Sequence, residues 1–459
     1  MGHAVKSVNT KEIPQLALVK DIAAMKDIFQ RRLPGFAEGH LRVDSLKVKY
    51  FRKKPGKKCQ VLYKCRVKDL KTSEEGKQAF FGVIEPNGKS HTVYAKAKRG
   101  EYLQPEFGPS LFFLEELNMV LWGFPNDPGL TTISRLVHHH TAYEFFKNHW
   151  SAFRLSPGTL LKSVRTKPVK YVPLARCTLR HDLLLQGQGE DRLTLYSKTL
   201  NQKKNGAQIF KVMHALWKAL SDPSRKFIVP EPFFFEPEMN AIFVRGLEGE
   251  SIDEHLNEVD LDQICEEVGS GLARLHQCNV TGISQRPDDR IASKLSDARK
   301  ILGQTHSACQ HRVEAIAGAL EAKYQDLPTV PQVPTHGAFR ISQLLQVNDH
   351  IALIDFDEFL LGNPFSDVGG FIGSLLFYSL ENKITPEQSR SAIRRFCRAY
   401  AEHADWGIPK NVLVWETVAN LVGKHAKKCI NRPKKRDQNI IDDVLTMAED
   451  ILSGKLLLM

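Results

Sequence analysis

The hydrophobic period of this 459-residue chain changes near residue 250, and that change limits the folds open to it. Before this point, short apolar runs such as residues 193–198 and 241–244 are typical of β-strands. After it, apolar residues recur at spacings of three and four, most regularly over Val259–His276, where Asp260 is a good N-cap. Strands first and helices later predict an α+β fold of two lobes.

Two strand-rich stretches follow similar courses along the chain. The predicted strands are residues 48–50, 58–63 and 92–96 in the first stretch, and residues 169–171, 176–180 and 193–198 in the second. Either one small sheet has been copied, leaving a degenerate internal repeat, or two basic sheets resemble each other by chance.

The domain organisation follows from length and from one turn-rich connection. A chain of 459 residues exceeds a comfortable single core, so we expect two or three domains. Residues 121–129 contain two prolines and two glycines and form an irregular seam. We predict a β-rich N-terminal α/β cap over 1–165, a sheet-based lobe over 166–245 and a helical lobe over 246–459.

Net charge and cysteine content indicate which classes of partner and which cellular compartment to expect. The chain has 64 Lys and Arg against 52 Asp and Glu, a net charge of +12 that favours anionic partners such as nucleotides. No nucleic-acid-binding signature accompanies it, so we expect no nucleic acid partner. No run of about eighteen uncharged apolar residues occurs, so we expect no membrane partner. The eight sparse cysteines and the polar N-terminus predict the reducing cytoplasm.

One predicted hairpin has metal-binding residue types at its open end. Two apolar runs, residues 344–347 and 351–354, flank the Asn-Asp-His turn at 348–350, which predicts a β-hairpin. Gln343 enters this hairpin and Asp355 leaves it. Amide and carboxylate oxygens are hard ligands of the kind that Mg²⁺ binds. The pattern therefore suits metal-assisted phosphoryl transfer, in which the protein mainly supplies positioning and charge.

Several short motifs surround this hairpin in a fixed order. They are HGAFRISQ at 336–343, IDFD at 354–357, GLARLH at 271–276, FVRGLEGESI at 243–252 and GNPFSD at 362–367. The first two are similar to H-G-D-x-x-x-x-N/Q and h-h-D-F/W-D/E, the pattern of the aminoglycoside phosphotransferase and choline kinase-like superfamily. The other three resemble further motifs of that superfamily.

The resemblance covers residues from about 169 to the C-terminus. It implies a bilobal protein-kinase-like fold with a sheet-based N-lobe, a helical C-lobe and an additional N-terminal cap. Gln343, where many members carry Asn, is similar to the maltokinase-like branch, which also has such a cap.

Residue roles follow from the resemblance position by position. Gln343 and Asp355 would bind Mg²⁺, His336 would brace the loop, and Asp367 would anchor it as a structural residue. Lys198 would hold the α- and β-phosphates. The implied cofactor-binding residues are Lys198, Gln208, Arg245, Gly246 and Leu247. Gln208 would stand in for the missing carboxylate partner of the lysine, and the backbone of residues 245–247 would form the hinge that binds the base.

One departure from the family pattern decides how the chain is interpreted. Position 338 should carry the Asp that accepts the proton of the substrate hydroxyl, and it is Ala338. Losing a general base reduces a rate about 10²–10⁴-fold. Because the other parts are intact, we interpret Ala338 as a recent or engineered inactivating change in a competent kinase. The alternative is a natural nucleotide-binding pseudokinase that docks a partner protein.

The resulting prediction is a phosphotransferase dependent on ATP (or GTP) and Mg²⁺. It would move the γ-phosphoryl group to a hydroxyl of a small-molecule acceptor, a sugar or sugar-like compound. With Ala338 in place, the chain would be catalytically dead or impaired.

Overall fold

The computed structural model describes residues 15–53, 58–187, 191–220, 222, 225–285, 295–296, 298–300, 307–426, 429 and 435–458. The chain divides into two compact units, one with residues up to 206 and 233–243, the other with residues 207–232 and 244–459. The first unit consists mainly of strands and the second mainly of helices, which confirms the α+β fold class. Within the described ranges, every helix is too short or too polar to cross a bilayer.

The first unit contains five short helices and, first along the chain, a five-stranded sheet. The helices are α1 (Leu16–Lys20), α2 (Ile22–Arg32), α3 (Ser90–Ala97), α4 (Ser134–Val137) and α5 (His139–Asn148). The strands are β1 (Leu41–Lys53), β2 (Cys59–Asp69), β3 (Glu75–Ile84), β4 (Leu111–Leu114) and β5 (Met119–Gly123). Their order across the sheet is β1-β2-β3-β5-β4.

A second five-stranded sheet follows with the same strand order. Its strands are β6 (Leu160–Val172), β7 (Arg176–Gln186), β8 (Arg192–Leu200), β10 (Pro232–Glu236) and β11 (Ala241–Arg245). Helix α6 (Gly206–Leu220) follows β8 along the chain. The strand order is β6-β7-β8-β11-β10, and α6 lies between its third and fourth strands as α3 does in the first sheet. The two sheets share one topology, and the duplication of one small sheet stays a prediction.

One predicted strand of that repeat is wrong. Residues 92–96 belong to helix α3, and the third strand of the first sheet is β3 instead. Val93, Tyr94 and Ala97 pack on the sheet together, which is the spacing of a helical face and not of a strand. The two sheets therefore correspond with β3 matched to β8 and α3 matched to α6.

One predicted domain boundary divides a strand, and the other lies at the end of a strand. The boundary between residues 165 and 166 lies inside β6, whereas the boundary between residues 245 and 246 lies at the end of β11. The three-part division of the chain stays a prediction.

The second unit is a helical bundle with two small sheets. Its helices are α7 (Leu261–His276), α8 (Ser307–Tyr324), α9 (Phe365–Leu380), α10 (Pro386–His403), α11 (Lys410–Asn420) and α12 (Lys435–Leu452), with a π-helix at Leu421–Ala426. Its strands are β9 (Phe227–Ile228), β12 (Glu250–Ser251), β13 (Val333–Thr335), β14 (Leu344–Val347), β15 (His350–Leu353) and β16 (Leu360–Gly362). One sheet has the order β12-β14-β15-β9, and β13 pairs with β16.

Helix α7 is the element on which the second unit is assembled. Asp260 caps it by accepting a hydrogen bond from the backbone N–H of Gln263 at 3.0 Å, as the sequence predicts. A Cβ at Gly269 would collide with the backbone carbonyl of Phe396 in α10, and one at Gly271 would collide with Phe227 of β9. These two glycines let α10 and β9 approach the helix closely, and β9 in turn pairs in parallel with β15.

A buried histidine lies in the core of the second sheet. His181 is fully buried, with Nδ1 2.8 Å from Thr166 Oγ1 and Nε2 2.7 Å from Ser197 Oγ. Burial lowers the pKa of His181 to about 3. The imidazole is therefore neutral in the folded chain throughout the ordinary pH range.

The folded chain should lose stability to acid through His181. Its pKa is lower in the folded state than the roughly 6.5 of an exposed histidine, so the unfolded chain binds the extra proton as the pH falls below that value. Between pH 7 and 4.5 this group alone should remove roughly 2–3 kcal/mol from the free energy of unfolding. Urea denaturation at both pH values measures the loss, and the His181→Gln variant should show a smaller one. Equal losses in both proteins would contradict the assignment.

Candidate functional site

The predicted hairpin is present and holds Gln343 and Asp355 at its open end. Strands β14 and β15 pair in antiparallel register with Leu344 opposite Leu353, and Asn348 in the turn has a positive φ of 50°. The backbone N–H of Ile354 donates to the carbonyl of Gln343 at 3.0 Å and extends the pairing by one step. Asp355 is thus the next residue after the partner of Gln343.

The two candidate metal ligands, Gln343 and Asp355, differ from ordinary residues in hydrogen bonding and in backbone conformation, respectively. Gln343 is buried, and within the described part of the chain its Oε1 has no hydrogen-bond partner. A buried amide oxygen without a partner is costly, which is expected where a ligand completes the site. Asp355 has φ = 75°, a strained value for a residue with a Cβ. This donor set fits Mg²⁺, which takes few protein ligands and keeps the rest for water and phosphate oxygens.

The described ranges contain no metal site built from three or more of the common charged or sulfur ligands. They contain no group of three or more His, Cys, Asp or Glu side chains placed to hold a metal ion.

The loop before the hairpin is held by one buried carboxylate. Asp367, near the start of α9, accepts the backbone N–H of His336 at 2.6 Å and that of Gly337 at 2.9 Å. Gly337 has φ = 74°, so this turn favours glycine. His336 Nε2 donates to the carbonyl of Ile354 at 3.1 Å, which ties the loop to the residue before Asp355.

A hydrogen-bonded chain supports Asp367 from behind. His276 Nε2 lies 3.3 Å from Asp367 Oδ2, and His276 Nδ1 lies 2.9 Å from Tyr400 Oη. Trp406 Nε1 donates to the same Tyr400 oxygen at 3.2 Å. Because an ionised carboxylate only accepts hydrogen bonds, His276 Nε2 donates to Asp367.

Burial and hydrogen bonding set the charges of this cluster. Burial would raise the pKa of the Asp367 carboxyl, but hydrogen bonds from His276 and from the backbone of His336 outweigh it and lower that pKa. Burial lowers the pKa of His336. At neutral pH the anchor is therefore an ionised carboxylate and His336 is a neutral ring.

The centre of the loop holds Ala338 and one residue that the sequence interpretation missed. Phe339 is buried and packs on Phe371 of α9 with the ring centroids 5.4 Å apart, so Ala338 lies between two fixed residues. Arg340 follows, and in the described part of the chain its buried Nε has no hydrogen-bond partner. Its position two residues after Ala338 was visible in the sequence, but its missing partner is a property of the fold.

The remaining predicted site residues lie in both units. Lys198 lies on β8 opposite Thr178 of β7. Gln208 lies on α6, where its Nε2 donates to the carbonyl of Gly282 at 2.6 Å. The partnership between Lys198 and Gln208 stays a prediction.

The predicted hinge follows β11. The Arg245 backbone N–H donates to the carbonyl of Glu231 at 2.8 Å, and its Nε lies 2.9 Å from a carboxylate oxygen of the same residue. Gly246 and Leu247 come after this anchored residue and belong to no strand.

Residues 186–409 match the phosphotransferase enzyme family. This part of the chain belongs to that family. The matched segment contains all the predicted site residues, from Lys198 through the loop and hairpin to Asp367. The resemblance to the aminoglycoside phosphotransferase and choline kinase-like superfamily is thus confirmed for this segment. A search of curated proteins finds no match.

Comparison with solved structures finds several kinases at low identity. A glucosamine kinase is 14% identical with a TM-score of 0.46, over 96% of this chain and 99% of that one. A choline/ethanolamine kinase family protein from Mesorhizobium loti is 16% identical with a TM-score of 0.42, over 59% and 85%. Choline kinase LicA from Streptococcus pneumoniae is 10% identical with a TM-score of 0.41, over 68% and 99%. Similarity at this level leaves the acceptor open.

Replacing the loop anchor should destabilise the phosphotransferase segment. In Asp367→Asn an amide nitrogen faces one of the two backbone N–H donors, which leaves a buried donor unpaired. We expect a loss of about 2–3 kcal/mol in the free energy of unfolding at pH 7, measured by urea denaturation. Asp253→Asn is the matched control, since Asp253 is half-buried and accepts from two hydroxyls, those of Ser251 and Tyr378. Equal losses in both variants would contradict the anchoring role.

Proposed function

We propose that this phosphotransferase binds ATP or GTP with Mg²⁺ and acts on a hydroxyl of a sugar or sugar-like molecule. The observation that carries the proposal is the unpartnered, buried Oε1 of Gln343 beside the strained Asp355 at the hairpin's open end. Both residues lie within the segment that matches the family. Magnesium there would neutralise charge on the phosphates and orient the transferred group.

Each part of the chain has a positioning task in this proposal. Gln343 and Asp355 would hold the metal, and Lys198 would hold the α- and β-phosphates as a point charge. The backbone after Arg245 would receive the base at Gly246 and Leu247. The Asp367 anchor and the neutral His336 would keep the loop fixed, so that little reorganisation accompanies the reaction.

Ala338 would limit the chemistry while leaving binding intact. An alanine side chain cannot accept the proton that the acceptor hydroxyl must lose. The loop is nevertheless anchored through backbone groups and through residues other than Ala338. A bound ternary complex with slow or absent turnover is therefore the expected state.

The thiols of the chain agree with a reducing, cytoplasmic location. None of the eight cysteines forms a disulfide in the structure, and seven of them are buried. Buried free thiols act as small apolar side chains, and disulfides are rare in that compartment.

Nucleotide binding should depend on Gln343 and not on its neighbour in the hairpin. The non-hydrolysable analogue AMP-PNP with Mg²⁺ at 100 times its Kd should stabilise the wild-type chain by about 2.7 kcal/mol, measured as a rise in Tm. Gln343→Leu should lose that rise, while its Tm without ligand should not fall, because the variant removes an unpartnered buried amide. Gln346→Leu, on β14 of the same hairpin, should keep the full response. A full response in Gln343→Leu would overturn the metal role.

Restoring the missing carboxylate should restore turnover. Ala338→Asp should increase the rate of phosphoryl transfer about 10²–10⁴-fold, measured as ADP release with a panel of hexoses, amino sugars and disaccharides. The double variant Ala338→Asp/Asp355→Asn is the control and should remain inactive. Tight nucleotide binding by Ala338→Asp with no acceptor turned over would instead favour the pseudokinase that docks a partner protein.

A further inference from the structure

The net positive charge of the chain comes from its first 100 residues. Residues 1–100 contain 23 Lys and Arg against 9 Asp and Glu, a net charge of +14. The other 359 residues contain 41 against 43, a net charge of −2. The excess therefore lies outside the segment that matches the phosphotransferase family, which begins at residue 186.

Part of this charge forms an ordered array on one face of the first sheet. Lys64 and Arg66 are two residues apart on β2 and so share a face. Lys47 of β1 lies directly opposite Lys64, and Lys77 of β3 lies directly opposite Arg66. All four side chains are exposed. We call these four residues the basic sheet face.

On one side of the array, the same face is covered and apolar. Leu62 of β2 and Phe81 of β3 lie opposite each other and are buried in a cluster that includes Tyr94 of α3. Helix α3 therefore packs over one end of the face, and the other end is left open.

The fold gives no reason for the array. Like charges directly opposite each other in a sheet are destabilising, and the array contains two such pairs. None of its four cations forms an ion pair or side-chain hydrogen bond with any residue described in the structure. Next to the array on the same face, Lys68 of β2 pairs with Glu75 of β3 at 3.2 Å, and on β1 Arg42 pairs with Asp44 at 2.8 Å.

We propose that the basic sheet face docks an extended acidic segment of a partner protein. An extended chain presents side chains on one face every second residue, about 6.6–6.8 Å apart, which is also the spacing from Lys64 to Arg66 along β2. Acidic residues at alternate positions would thus meet successive cations in register. Complementary charge of this kind sets orientation and association rate.

The same face is poorly suited to two other polyanions. Single-stranded nucleic acid is usually held by exposed aromatic rings that stack on bases, and membrane surfaces by apolar side chains that insert. In the described part of the chain, none of the exposed large apolar side chains lies in β1, β2 or β3.

The test measures the binding of three anionic probes to the full chain, two of them matched at five negative charges. The probes are a fluorescein-labelled (Glu-Thr)₅ peptide, a labelled hexathymidylate with five phosphates, and vesicles containing phosphatidylserine. The peptide should bind more tightly than the oligonucleotide or the vesicles, with an affinity that falls as salt rises. Tighter binding of either other probe would overturn the proposal.

Matched variants separate the array from total charge. Lys64→Glu/Lys77→Glu should weaken peptide binding at least about tenfold without lowering Tm, because each change converts a like-charge pair into an opposite-charge pair. Lys211→Glu/Arg394→Glu makes the same change in charge at two exposed positions of the second unit and should alter binding less than about twofold. An equal loss in both double variants would overturn the proposal.

Discussion

The site depends on a single buried carboxylate. Asp367 lies almost without solvent contact, yet it stays ionised because two backbone N–H groups and His276 all donate to it. Removing a charge from water is costly, and only such a complete set of donors offsets the cost. The carboxylate therefore fixes the start of the loop at His336 and Gly337, and through the loop the positions of Ala338 and Gln343.

The loop is closed on itself by two further bonds. The His336 ring donates to the carbonyl of Ile354, and the Ile354 N–H donates to the carbonyl of Gln343. The start and the end of the loop are thus both hydrogen-bonded to Ile354, the residue before Asp355. The surroundings of Asp355 maintain its positive φ. Neither bond involves position 338. A change of the side chain at position 338 therefore leaves both of these bonds in place.

The sequence predicts those parts of the site and fold that depend on interactions between residues close together in the chain. The hairpin, its Asn-containing turn and the cap at Asp260 were readable because alternation and capping act over a few residues. The supporting chain from His276 to Tyr400 joins residues 124 positions apart, so only packing could show it. Residues 92–96 were mistaken for a strand because Val93 and Tyr94 favour strands intrinsically, whereas burial on a helical face decided the outcome.

Total charge was the least informative sequence quantity. A value of +12 was associated with nucleotide binding, but residues 101–459, which include every predicted site residue, carry a net charge of −2. Within about a Debye length, roughly 8 Å at physiological salt, local groups determine what an anion experiences. Under the proposed function, attraction for a triphosphate would depend on individual groups such as Lys198 and Mg²⁺ and not on the total charge. The charged first sheet is then free to serve a different partner.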